Sequence, residues 1–364
     1  MNTFELKRNV TRIVRDLRVN EYNYGNCVTG LQSSLDDAIT EKGVPLKRRR
    51  AVLTAHGCCV ATCTMCPLPD ESVPNNIIIT DEDIKQQIDA AFINSDACDV
   101  LTVYHNGNFF ADKELSDNVR EYIYTRVANS NFKNLVVESL PQFITRNKLD
   151  KARAKLSGKI MQVAIGLQSW DDDIREYAIN STCTKDKFLE ANALLKEFGY
   201  SAQVFLMFKP PFLSVQESID DLVNGVVKLH KIGIDDPIIC PMRVAKHTVV
   251  HALFNRGEYI PPTLWQLVQA IKNIHERVPN TLCRIAITCL NEFDKIYSIR
   301  ATACKKCADK IIKELSEYNH THNISGVKRL TCECKTGGFL NYPYEGSVKE
   351  RVAAFVLTTK ELTI

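Results

Sequence analysis

An α/β fold, with a parallel sheet wound as a partial (β/α)6 TIM-like barrel, is predicted by three observations. Short β-branched apolar runs alternate with longer amphipathic runs from Lys47 onward, the pattern left by strands joined through crossover helices. Six runs are of strand type: AVLTA (51–55), DVLTVY (99–104), LVVES (135–139), IMQVAIG (160–166), AQVFLMF (202–208) and PIIC (237–240). That is fewer than the eight of a closed barrel, so the sheet is expected to be splayed. A cysteine-rich loop directly follows the first run, at the strand end where β/α barrels place their chemistry.

The elements between these strands carry their own signals. Leu6, Val10, Ile13, Val14 and Leu17 recur at helical spacing and predict an opening helix, followed by a Gly- and Asn-containing stretch at Asn23 to Gly30. Thr80 is placed to cap DEDIKQQIDAAF, where Ile84, Ile88 and Phe92 recur every fourth residue. Thr184 does the same for KDKFLEANALLKEFG, which closes on Gly199. Three parts are expected: a helical lead-in over 1–46, the barrel over 47–280, and a small Cys-rich C-terminal element over 281–364.

With 364 residues, 45% hydrophobic and 24% charged, the chain can bury a large core. Its 46 basic and 43 acidic residues are too balanced to argue alone for a nucleic-acid or membrane partner. The run KRRR, Lys47 to Arg50, reads as a solvated strand entrance with the option of touching phosphates. The charged start lacks the apolar centre of a secretory signal, and no 18-residue apolar run occurs, so a cytoplasmic protein without membrane association is expected.

Fourteen cysteines in a reducing compartment point to metal ligation or catalysis where they cluster. Cys27, Cys98, Cys183, Cys240, Cys283 and Cys289 stand alone and read as small buried hydrophobes. Two groups remain. In front, CVATCTMC gives Cys59-x3-Cys63-x2-Cys66, with Cys58 adjacent. Three thiolates on one short loop can hold three corners of a [4Fe–4S] cube and leave the fourth iron open. An open iron can chelate S-adenosylmethionine, whose reductive cleavage gives methionine and a 5′-deoxyadenosyl radical. The alternative is a structural zinc loop with Cys58 or a distant residue as fourth ligand.

The front motif, after the first strand of a βα repeat, resembles the radical S-adenosylmethionine superfamily. Met65 stands where that family usually has an aromatic residue against the adenine. The resemblance implies cosubstrate contacts at later strand ends. These are Asn106, Gly107 and Asn108 of HNGNFF, in place of a Gly-Gly-Glu-like turn; Glu138 of ESLP; and Gln168 and Ser169 of GLQSW. Lys209 and Arg243, at the ends of the fifth and sixth strands, are candidates for a substrate anion or the methionine carboxylate.

The segments VVESLPQFIT, VAIGLQSWDDDIREYAIN, FLMFKPPFL and RGEYIPPTLW, with CTMC in front, are similar to the archaeosine-forming tRNA radical enzymes. That branch is related to the elongator catalytic subunit and the tRNA methylthiotransferases. The similarity runs from about Arg48 to Trp265. It implies C–N bond cleavage on a lysine-bearing 7-deazaguanine in tRNA, an electron donor such as flavodoxin or ferredoxin, and tRNA bound through a partner tRNA-modifying subunit. CPLPDES and NSTCT (180–184) depart from the branch, and Cys183 in the latter is either a functional thiol at the barrel mouth or a buried bystander.

In the rear group, Cys304-x2-Cys307 and Cys332-x-Cys334 suit one zinc ion, or a second iron–sulfur cluster. Two further functional readings stay open on these residues. One is radical chemistry on a small metabolite or peptide, including sulfur insertion with a second cluster; the other is a non-catalytic zinc-binding interaction protein.

Overall fold

The computed structural model describes residues 1–19, 30–31, 33–41, 44–290, 298–335 and 344–361; Cys27 and most of the stretch expected at Asn23 to Gly30 lie outside them. In chain order the strands are β1 (Ser33–Glu41), β2 (Val44–Val52), β3 (Val100–Tyr104), β4 (Asn134–Glu138), β5 (Ile160–Gln168), β6 (Ser201–Phe208), β7 (Ile238–Pro241), β8 (Val244–Ala245), β9 (Arg284–Ile285) and β10 (Ser298–Ile299). One sheet runs β1-β2-β3-β4-β5-β6-β7-β9. Within it β1 pairs antiparallel with β2, and every other neighbour is parallel. The partial barrel expected from the alternating runs is borne out, with an added strand at each edge.

The helices that return the chain between strands are α2 (Asp81–Phe92), α3 (Asp117–Ala128), α4 (Arg146–Leu156), α5 (Lys185–Glu197) and α6 (Val215–Lys231). Their caps are those the sequence announced. Thr80 accepts from the Asp83 N–H while the Asp83 side chain returns to the Thr80 backbone, and Thr184 accepts from Lys187. Ile84 and Ile88 are buried on the inward face of α2, and truncating either would cost about 2–5 kcal/mol. The outer face of the sheet and these helices form the main core, from Leu53 and Leu101 to Trp265.

β1 escaped the sequence reading because SSLDDAITE is too acidic to look like a strand. Its acids have partners in β2. Asp37 takes both arms of Arg48, and Asp36 pairs with Arg49. KRRR is therefore no solvated entrance. Arg49 is buried and donates to the carbonyls of Ala91, Ile93 and Asn94, so it also caps the C-terminal end of α2. Arg48 and Arg50 are on the opposite face and line the barrel lumen.

Beyond the sixth parallel strand come α7 (Val249–Asn255), α8 (Leu264–Arg277), α9 (Ala308–Thr321), α10 (Ser325–Arg329) and α11 (Val348–Glu361). Helix α9 packs against both β1 and β9 and so covers the seam a partial barrel leaves open. Its Asn319 side chain accepts from the Ile285 N–H at 2.8 Å and donates to the Ile285 carbonyl at 2.7 Å, which satisfies that sheet edge. A second apolar cluster joins the opening helix α1 (Thr3–Leu17) to α7 and α11 through Leu6, Val10, Val250, Leu253, Val352 and Phe355. Among the described residues, no helix is long and apolar enough to cross a membrane.

Candidate functional site

The front loop leaves the C-terminal end of β2, and its shape is imposed from outside. The Thr64 N–H donates to the Ile179 carbonyl at 3.0 Å and its hydroxyl to that of Ala178 at 2.6 Å. Thr62 and Asn180 exchange side-chain to backbone bonds at 3.0 and 2.9 Å. The acceptor carbonyls lie at the end of a single π-helical turn, Ile174–Ala178, and Asn180 sits at a positive φ of 55°. The departure NSTCT is thus the anchor of the loop. On the other side, Arg18 donates to Ala61 at 3.1 Å and faces Asp70 at 3.7 Å.

Glu114, which carries no sequence motif, is the hub beneath the loop. Its side chain is 1% exposed. One oxygen accepts from the Cys59 N–H at 2.8 Å and the Asn108 amide at 2.7 Å; the other accepts from the Asn108 N–H and is hydrogen-bonded with His105 at 3.2 Å. Burial works to raise this carboxyl, but the bonds from His105, Cys59 and Asn108 outweigh it and hold it below its ordinary value. Gly107 leaves room for this arrangement: a Cβ there would lie 2.0 Å from the Glu114 oxygen and 3.1 Å from the Cys58 nitrogen. Only glycine fits.

Cys58, Cys63 and Cys66 lie near enough for charge on one thiol to act on another. Cys63 and Cys66 are half-buried against the apolar cluster that contains Met65 and Met207. Burial drives the Cys63 thiol far up and the Cys66 thiol to about 12, and the charge of Cys58 adds to both. Metal binding is what would deprotonate them. Cys58 accepts from the Asn108 amide at 3.3 Å and the Ala61 N–H at 3.5 Å. Cys59 is exposed, and after burial the Glu114 carboxylate is what most raises its thiol, to about 12. A cavity of about 920 Å³ opens beside the loop, lined by Arg18, His56, Cys58, Cys59, Asp70 and Glu114.

The rear thiols are closed. Cys304 and Cys307 precede α9, Cys332 and Cys334 follow α10, and the four sulfurs lie within 4.8 Å of one another. Contacts of 3.4, 3.6 and 3.5 Å join Cys304 to Cys307, Cys304 to Cys332, and Cys307 to Cys334. The edge of a tetrahedron with metal–sulfur bonds of about 2.3 Å is about 3.8 Å, so one ion fits. The Cys304 backbone and the Trp265 indole, 3.2 Å away, pull the Cys334 thiol down to about 6. This tetrad ties the C-terminal segment to α8.

No family model matches the chain. An uncharacterized protein of Methanocaldococcus jannaschii is 28% identical over 295 residues, covering 78% of this chain and 79% of its own. Two proteins named archaeosine synthase subunit beta also match. That of Methanosarcina acetivorans is 25% identical over 302 residues, 80% of this chain and 84% of its own; that of Thermococcus kodakarensis is 23% identical over 246 residues, 65% and 71%. The chain is a homologue of archaeosine synthase beta subunits. The resemblance drawn from the motifs is borne out, and the reading as an enzyme with it. Among solved structures, queuine lyase from Clostridium spiroforme bound to SAM and queuine aligns with a TM-score of 0.43 and 20% identity, over 57% of this chain and 79% of its own.

Within this homologue of the beta subunits, the remaining strand-end residues divide into two sorts. Glu138 is half-buried at the end of β4, and desolvation pushes its carboxyl up to about 7. Gln168, at a bulge and a φ of 68°, keeps a buried side-chain oxygen without a hydrogen-bond partner. Asn106 turns the chain at a φ of 60°, and its carbonyl receives the Cys58 N–H at 3.0 Å. Other candidates are occupied internally. Asn108 spends its amide on Cys58 and Glu114 and its oxygen on Leu140, and Ser169 donates to Asp221 at 2.6 Å while only 1% exposed. Lys209 donates to the Ile260 carbonyl and is lowered to about 8 by burial. Cys183 is 1% exposed in the main core, its thiol pushed up to about 12 by burial.

Proposed function

We propose that this chain is a radical S-adenosylmethionine enzyme of tRNA modification that cleaves a C–N bond of a lysine-bearing 7-deazaguanine. The observation that carries the reading is the cysteine loop at the end of the first parallel strand, whose Cys58, Cys63 and Cys66 influence one another's charge and which is held by Glu114 and the Asn180 turn. Cys63 and Cys66 would hold two corners of a [4Fe–4S] cluster. Spacing gives Cys59 the third, with its neighbour Cys58 as the alternative. Cluster and S-adenosylmethionine together supply a 5′-deoxyadenosyl radical. Met65 offers a thioether for the adenine, the Asn106–Gly107 turn offers backbone groups, and Glu138 and the unpartnered Gln168 oxygen offer acceptors for amine or hydroxyl hydrogens.

The lumen suits a polar substrate, since the buried Gln203 oxygen that faces its cavity lacks a hydrogen-bond partner. A partner subunit supplies the tRNA contacts, as the relatives' designation as subunits supports, and a flavodoxin or ferredoxin supplies electrons. The rear tetrad takes zinc, because its sulfurs are too close for a cube. The test is anaerobically reconstituted full chain with dithionite, S-adenosylmethionine and tRNA bearing the lysine-modified base. Release of 5′-deoxyadenosine stimulated by that tRNA, with formation of the amidine base, is expected. Equal release with unmodified tRNA would refute the substrate, and none with either would refute the chemistry.

A further inference from the structure

Cys240 and Cys289 read as solitary in the sequence, yet the fold brings them together. Cys240 is the penultimate residue of β7, in register with Met207 of β6, so the two side chains share the lumen face. Met207 in turn packs in the cluster that borders Cys63 and Cys66. The chain after β9 returns to β7 through the Ala286 N–H on the Ile239 carbonyl at 2.8 Å and enters a 3-10 turn, Ile287–Leu290, closed by the Cys289 N–H on Ala286 at 2.9 Å. Both cysteines line the same lumen cavity of about 340 Å³, with Tyr104, Gln203, Phe205 and Arg284. The interaction between the two thiols is the largest influence on each, raising Cys240 and lowering Cys289 to about 7, and Arg243 favours the thiolate of both.

A radical reaction that breaks a substrate bond leaves an open-shell fragment, and the hydrogen already removed ends in 5′-deoxyadenosine. Where that fragment is closed by reduction, a hydrogen atom comes from elsewhere. Glu114, Glu138 and Gln168 have O–H or N–H bonds too strong to give one, whereas a thiol S–H is weak. We propose that Cys240 and Cys289 form a lumen dithiol that quenches the substrate-derived radical, and this rests on the radical reading above. One thiol gives its hydrogen atom, so an S–H bond breaks and the product X–H bond forms. The neighbouring thiolate, its proton lost to solvent, adds to the thiyl and forms an S–S bond carrying one excess electron. That electron passes to an oxidised one-electron carrier of the flavodoxin or ferredoxin class. The disulfide left behind is returned to two thiols by two electrons and two protons from a dithiol reductant.

The two claims, proximity and use, are tested separately. Treatment of the intact protein with diamide, followed by peptide mapping, should give a Cys240–Cys289 disulfide; its absence, when other thiols have been oxidised, overturns the pair whatever the enzyme's reaction. In anaerobic turnover without added thiol, Cys240→Ser and Cys289→Ser should retain iron content and substrate-stimulated 5′-deoxyadenosine, while product per 5′-deoxyadenosine falls by about tenfold or more. Wild-type turnover in deuterium oxide should place solvent-derived deuterium in the product fragment. An unchanged ratio in both variants, or a product without deuterium, overturns the donor role. Absence of 5′-deoxyadenosine in the wild type is the separate failure of the radical reading.

Discussion

The front and rear cysteine groups use the same side chain to opposite ends, and the difference lies in what carries them. The rear sulfurs sit on local structure, the approach to α9 and the turn after α10, and pack at 3.4–3.6 Å as a closed tetrad. The front sulfurs sit on a loop that has little structure of its own. Its form comes from the Asn180 turn, Glu114 and Arg18, all distant in sequence. A closed set is a staple, whereas a set propped from outside can keep a coordination position for something else.

The largest contrast is expected from removing one thiol of each group. Cys63→Ala should abolish both iron–sulfur absorbance and turnover, and Cys59→Ala should match it while Cys58→Ala keeps its iron; iron retained in the Cys59 variant would pass the third corner to Cys58. Cys334→Ala should leave front-site absorbance in place but cost more than about 4 kcal/mol of stability, as loss of a structural metal does. Chemical denaturation of the two proteins side by side checks this, and unchanged melting with lost turnover would contradict the staple.

Glu114→Ala should come next, at roughly 3 kcal/mol, because it strands the Asn108 donors and the His105 ring in a buried site. Reconstitution should then yield substoichiometric iron. The smallest effect is on pH dependence. Burial raises Glu138 from 4.5 to about 7, so the folded state favours the neutral acid. That contribution is complete below pH 4.5 and is lost as pH rises through about 7. Glu138→Gln should flatten stability measured across that window; an unaltered slope would mean that another group sets it.

The parallel strands were legible because their β-branched runs are continuous and their helices carry caps, as Thr80 and Thr184 do. β1 was not, since its aspartates are satisfied only once Arg48 and Arg49 of β2 lie opposite. β9 is two residues long and depends on Asn319 for its edge. The front thiols announced themselves by spacing, but their supports Asn108 and Glu114 did not. Glu114 itself had no signal, because an acid in ADKELSD looks like any surface loop. Cys240 and Cys289 were separated by two helices and two strands before the lumen rejoined them.

The apolar cluster under Met65 is built from both extremities of the described fold, with Leu6 and Val10 of α1 against Val352 and Phe355 of α11. A ribosome therefore cannot finish the floor of the front loop until the segment around residue 350 has emerged and docked. Any metal loading at that loop would then be a late event of biogenesis, sensitive to a stop codon or fusion that disturbs α11 even though the helix holds none of the front thiols.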